Sequence, residues 1–307
     1  MRRILRAIQS QPWAMSRVYV DLMVGVVEAR LSGKLHHDDV QARIGGRKEK
    51  AVAERNGAIA VIPVRGVISN RSSMIEDVSP GAGTSAERLD RDFRAAYDDE
   101  SIKAIVLDVD SPGGSAAGTP EVAATIRSYA GGSKPVIAQI SGMAASAAYW
   151  IASGADEIVA TESSQVGSIG VFAVHEEISE LLAREGIKET IVKAGKYKAE
   201  GNPYEPLSDH AREHMQAMVN SYYDMFVAAV AEGRKTDKRT VISGYGEGNV
   251  LMAADAKRAG MIDRIGTMRE TLERFGARFD EGRGSRAGSA RSVPLQARRL
   301  QLERESV

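Results

Sequence analysis

From Ala58 onward the chain alternates short β-branched runs with segments of helical spacing, and few folds accommodate that alternation. The runs are Ala58 to Val64, Ala104 to Val109, Val136 to Ile140, Glu157 to Ala160, Thr190 to Val192 and Ile262 to Ile265. Strands that read as near-continuous apolar runs are buried on both faces, and a helix between successive strands lets them run parallel. The pattern predicts an α/β architecture with a mostly parallel sheet flanked by helices. Two of the helices announce their starts. Thr119-Pro120-Glu121 supplies a cap and an N1 proline, and Ser208-Asp209 opens a long helix reaching about Ala231. Along that helix Met215, Met218, Val219, Tyr222, Met225, Phe226 and Val230 recur at steps of three and four, which is the stripe of a core or subunit contact.

Residues 1–55 stand apart as an expected N-terminal helical arm, with Val18, Val20, Leu22, Met23, Val26, Val27 and Leu31 partly spaced for one face before a basic, polar stretch. Residues 281–307, rich in Gly, Ser and Arg, read as a flexible, mildly basic tail. The main domain is therefore expected over 56–280. The chain has no cysteine, which removes thiolate metal sites, disulfides and cysteine nucleophiles together. Forty-one Lys and Arg balance forty-one Asp and Glu, so no net field draws the chain to nucleic acid. Met1-Arg2-Arg3 begins like a signal peptide, but no apolar run of matching length follows, and nowhere do about 18 apolar residues run together. The expectation is a cytoplasmic chain that is neither secreted nor membrane-spanning.

Three segments carry glycine, serine and small residues beyond what a core needs. Leu107 to Gly114 is a buried strand running into a turn whose glycines expose backbone N–H groups, a means of holding a developing oxyanion. Ser141 to Ala152 sets Ser146 among alanines at the start of a buried helix, where free N–H groups favour a negative oxygen. The same serine also reads as a plain helix cap. No Gly-x-Ser-x-Gly elbow is present, which disfavours an α/β-hydrolase. The third segment runs from Gln165-Val166-Gly167-Ser168-Ile169-Gly170-Val171 to Lys193-Ala194-Gly195-Lys196-Tyr197-Lys198. A lysine serves as a base only when its ammonium gives up a proton, which burial promotes. The residues alone do not choose among Lys193, Lys196 and Lys198. His36 and His37 read as a solvated turn in the arm, and His210 and His214 lack the glutamate of a His-Glu-x-x-His site, so neither a metal nor another cofactor is expected.

Taken together, Asp110-Ser111-Pro112-Gly113-Gly114, Met143 to Ala152, Gly167 to Val171 and Ala194 to Lys198 resemble, in that order, the signal peptide peptidase A family of serine proteases. The resemblance covers about Gly57 to Gly266 and implies the fold shared by the Clp protease and crotonase. It implies roles as well: Ser146 as nucleophile, Lys198 as general base of a Ser–Lys dyad, Ser168 orienting the lysine, and Gly114 and Ala147 N–H groups as oxyanion hole, with Gly113 permitting close approach. Ala147-Ala148 stand where the family often has Gly-Gly. Substrate is expected to lie extended along Val64, Arg65, Gly66 and Val67 and along Gly167, Ile169 and Gly170. Ala58 to Gly66, Lys198 to Tyr204 and Ala253 to Asp263 are further similar to the head-maturation proteases of tailed bacteriophages, the branch that includes the lambda capsid-assembly protease. That narrower resemblance implies scaffold, portal or other head proteins as substrates, action in the host cytoplasm or assembling head, and a homo-oligomer. A bacterial peptidase of the same family, a non-catalytic scaffold protein and a crotonase-type acyl-CoA enzyme are the competing expectations.

Overall fold

The computed structural model describes residues 12–15, 19–21, 24, 25, 28, 54–71 and 83–281. Of the tail expected over 281–307 only Glu281 is described, and most of the arm expected over 1–55, His36 and His37 included, lies outside the described residues. The strands are β1 (Trp13–Met15), β2 (Glu54–Asn56), β3 (Ile59–Arg65), β4 (Val67–Ser69), β5 (Gly83–Ser85), β6 (Ala104–Ser111), β7 (Gly113–Ser115), β8 (Val136–Ala145), β9 (Glu157–Ala160), β10 (Gln165–Gly167), β11 (Val250–Met252) and β12 (Arg264–Ile265). Residues 19–21, 24, 25 and 28 are helical, and the helices that follow are α1 (Ala86–Asp98), α2 (Thr119–Tyr129), α3 (Ala147–Ala152), α4 (Ser179–Arg184), α5 (Asp209–Gly233), α6 (Lys238–Gly244), α7 (Ala253–Ala259) and α8 (Met268–Glu281).

The main sheet runs β11-β10-β8-β6-β3-β2, with β9 also against β8 and β12 against β9. Its interior pairs, β3 with β6 and β6 with β8, are parallel, and the antiparallel pairs β2/β3 and β10/β11 lie at the ends. The expected α/β architecture is thus the one observed, because Ile105, Val106, Leu107, Ile137 and Ile140 are buried on both faces of the sheet. One face packs on α1, α2, α3 and the C-terminal half of α5. Phe275, with Met268 and Leu272, all of α8, covers Ile59, Val106, Ile137 and Val159 on the other.

A second, smaller sheet, β1-β7-β4-β5, stands beside the carboxyl ends of these strands. Its first member is a departure from expectation: Trp13–Met15 is a strand inside the segment expected to be helical. Thr190 to Val192 is not a strand; it is exposed, with Val192 at 94%, so Lys193 does not end a buried strand. The α2 cap is Gly118 in the left-handed region, not Thr119, whose hydroxyl donates to the Ser115 carbonyl at 2.8 Å. Ser208 caps α5 as expected, accepting from Ala211 N–H.

Candidate active site

Strand β8 ends at Ala145 and α3 begins at Ala147, so Ser146 alone makes the turn between a buried strand and a buried helix. It does so at φ 54° and ψ −119°, a conformation that costs an L-residue on the order of 1–3 kcal/mol. Ser168 is at φ 54° too, and only Lys235 and Glu247 join the pair as non-glycine residues with positive φ among the described residues. The turn thus has the strained strand-to-helix form of a nucleophile elbow although the Gly-x-Ser-x-Gly pattern is missing. Ser146 caps nothing: its side chain makes no bond to the α3 amides and instead donates to the Gly170 carbonyl at 3.3 Å, while its own N–H donates to Gly167 O at 2.7 Å. Its side chain is buried among residues that hold it from two sides.

One side is the Gly113-Gly114 turn. Ser111 Oγ donates to Gly66 O at 2.6 Å and accepts from Gly113 N at 3.2 Å, which fixes the turn. Ser111 was not among the expected site residues, and its only sequence signal was its place in the Asp-Ser-Pro-Gly-Gly motif. Gly114 lies so close to β4 that a Cβ there would stand 1.9 Å from Ile68 O. A Cβ on Gly113 would stand 2.8 Å from Ala145 O and 3.1 Å from Ala147 N, so both neighbours of Ser146 meet this turn. The other side is Gly167 to Gly170, held by Ser168 N–H donating to Asn249 O at 2.8 Å. Ser146, Ala147, Gly113, Gly167 and Gly170 therefore come together.

Lys198 is not joined to them. It is exposed, and no hydrogen bond links it to Ser146 or Ser168 among the described residues. Its neighbours are anchored elsewhere: Tyr197 stacks on His210 at 3.8 Å, and Glu200 accepts from His210 Nδ1 at 2.6 Å, at the start of α5. His210 is thereby engaged, and no cluster of metal-ligating side chains occurs among the described residues. Nor is the Val64 to Val67 stretch an open strand edge. Arg65 N–H donates to Thr84 Oγ1 and Arg65 O accepts from it, Gly66 N–H donates to Asp110 O, and the Arg65 guanidinium pairs with Asp108. Val64 is buried, and Val67 packs against the cluster of Trp13, Met15 and Val20.

The arrangement sets a strained, buried hydroxyl beside backbone N–H groups at a glycine turn. Chemically, a hydroxyl so placed can meet an electrophile where nearby N–H groups can hold a negative oxygen. Residues 131–278 match the model of peptidase family S49. The resemblance expected from the motifs is therefore present in the comparisons. A protein of Methanocaldococcus jannaschii named as a protease is 36% identical over 177 residues, 58% of this chain and 56% of that one. Protease 4 of Haemophilus influenzae is 32% identical over 70% of this chain and 34% of its own. Capsid assembly protease C of Escherichia phage lambda is 29% identical over 82% of this chain and 58% of its own. The chain thus spans about a third to somewhat over half the length of these relatives. A ClpP1 mutant from Listeria monocytogenes superposes with TM-score 0.43 at 13% identity, over 69% of this chain and 94% of that one. No described helix is long and apolar enough to cross a membrane.

Proposed function

We propose that the chain is a serine endopeptidase in which Ser146 is the nucleophile and Lys198 the general base. The observation that carries the reading is Ser146 itself, a buried hydroxyl with one long hydrogen bond, held at positive φ where β8 meets α3, against the turn of two glycines. The neutral amine takes the proton from Ser146 as Oγ attacks the peptide carbonyl, and Gly114 and Ala147 N–H groups hold the oxyanion. The lysine then gives its proton to the departing amine, and water hydrolyses the remaining ester.

The reading requires the exposed stretch around Lys198 to close on Ser146. Ile187, Ile191, Val192 and Tyr197 on that stretch are exposed, which is apolar surface for a second copy of the chain to cover; a homo-oligomer is part of the proposal. The likeness to the lambda capsid assembly protease over most of the chain supports proteins of an assembling phage head as substrates. The test is to purify wild type, Ser146→Ala, Lys198→Ala and Lys196→Ala and follow cleavage of co-expressed head proteins and of a fluorogenic peptide against pH. The expected result is loss in the first two variants only, with the wild-type rate rising as the base deprotonates. Unchanged cleavage in Ser146→Ala overturns the reading, and shell assembly that depends on the chain but not on Ser146 favours the scaffold role.

A further inference from the structure

The strand Trp13–Met15 is the part of the site that the expected mechanism leaves unexplained. On one edge it pairs antiparallel with β7, setting Trp13 opposite Ser115, Ala14 opposite Gly114 and Met15 opposite Gly113. On the other edge Trp13 N–H donates to Phe172 O at 2.8 Å and Phe172 N–H donates to Trp13 O at 3.0 Å. Phe172 stands two residues after Gly170, whose carbonyl accepts from Ser146 Oγ. An extended segment is therefore held on both edges by the two stretches that flank the nucleophile. The point 2.8 Å from Ala145 O and 3.1 Å from Ala147 N, where a Cβ of Gly113 would fall, is 2.3 Å from Ala14 O. The Ala14 carbonyl thus lies against the same glycine as the residues just before and just after Ser146.

We infer that Trp13–Met15 occupies the lane in which a peptide substrate lies, as a strand built into the chain that must leave before substrate enters. The inference rests on Ser146 being the nucleophile. Removing β1 would leave β7 as the edge of the small sheet, and an open edge is where an extended peptide adds by main-chain hydrogen bonds. The packing allows that departure. Ala14 points inward with the main core, whereas Trp13 and Met15 form a cluster of their own with Val20, fringed by Tyr19, Val24, Val67 and Phe172. Lifting the strand opens this satellite cluster and takes from the main core only the small Ala14. The occupant also states a preference. The groove holds a small residue, Ala14, turned to the main core, between bulky apolar residues turned to the satellite cluster, and substrates of this pattern are the class it takes.

The test uses the full chain, a fluorogenic amide ending in Trp-Ala, a fluorophosphonate that labels active serines, and the free peptide Gln11–Ser16. Trp13→Ala should hydrolyse the amide at least five-fold faster than wild type at low substrate, through a lower KM with kcat little changed. The free peptide, and not its scrambled form, should inhibit that variant competitively. In unaltered wild type, a Trp-Ala aldehyde bound at Ser146 should speed hydrogen exchange at the amides of residues 13–15, which keeps the idea testable should Trp13→Ala fail to fold. Equal or slower hydrolysis by a folded Trp13→Ala, with fluorophosphonate labelling of Ser146 intact, shows β1 to be a fixed part of the enzyme and overturns the inference alone. Exchange at 13–15 that stays slow with aldehyde bound does the same. Absence of Ser146 labelling in both proteins, with hydrolysis surviving Ser146→Ala, overturns instead the reading on which it rests.

Discussion

Ser146 is a residue whose backbone and side chain pull apart in their consequences. Its hydroxyl contributes little to holding the fold, since its single 3.3 Å bond goes to a carbonyl that water would serve equally well, while its φ of 54° is a cost. Replacing it with alanine removes the hydroxyl and keeps the strain; replacing it with glycine removes both. Both variants should be inactive, and Ser146→Gly should unfold about 1–2 kcal/mol later than Ser146→Ala in a denaturant titration. Equal stabilities would mean that the turn is not strained. Gly114 makes the opposite case. Its absent Cβ would sit 1.9 Å from backbone that has no rotamer to change, so Gly114→Ala must push β7 from β4 and move the turn beside the nucleophile. A stability loss of at least about 3 kcal/mol, with activity gone, is the expected result from unfolding and peptide-cleavage measurements.

At the scale of elements, α5 shows how far local pattern reaches. Its apolar stripe was legible, and so was its Ser208 cap, because both depend on spacing along one helix. The structure divides the stripe: Phe226 and Val230 are core, joined there by Val227 from outside the stripe, whereas Met225 is exposed and Met215 and Val219 are half-buried. Phe226 lies parallel to Trp150 of α3, their ring centroids 4.5 Å apart, so it buttresses the helix that follows Ser146. Phe226→Ala should cost about 3–5 kcal/mol in urea unfolding and should lower kcat as α3 loosens, whereas Met225→Ala should change monomer stability little. The strands buried within the sheet were legible for a similar reason, each being a run of β-branched residues whose partners are equally apolar. Thr190 to Val192 has the same texture and forms no strand, since a run becomes a strand only where a neighbouring edge receives it. β1 fails in the other direction. Three residues carry no period, and Trp13-Ala14-Met15 becomes a strand only because β7 and Phe172 flank it, which is tertiary information. In the site, Ser146 and the glycine turns were legible as motifs, while the Ser111 bond that fixes Gly113 and the exposed position of Lys198 depend on the assembled geometry.

Across the whole molecule the acid side of the pH profile should separate chemistry from folding. Arg234, at the end of α5, grips Asp263, before β12, through bonds of 2.6 and 3.0 Å, and Asp263 also accepts from Ile158 N–H at 2.7 Å, so one carboxylate joins α5 to β9. Burial alone would raise the Asp263 pKa, but the Arg234 and Ile158 hydrogen bonds and the arginine charge together hold it below the ordinary carboxylate range. A carboxylate with a lowered folded pKa stabilises the fold above its unfolded pKa of about 3.9 and loses that contribution as pH falls through the folded value. Asp90, held down by Arg94 and Thr125 against its own desolvation, has the same sign. Stability measured by urea titration should therefore be level from about pH 5 upward and fall below about pH 4. Asp263→Asn should lose about 1–3 kcal/mol at pH 7, since it leaves the nearly buried Arg234 without a charged partner, and should flatten the fall below pH 4. Peptide cleavage that depends on a neutral amine should decline from neutral pH downward, in a range where circular dichroism still reports the intact fold. Were activity and fold to fail together at one pH, the acid loss of cleavage would be unfolding and would give no support to a lysine base.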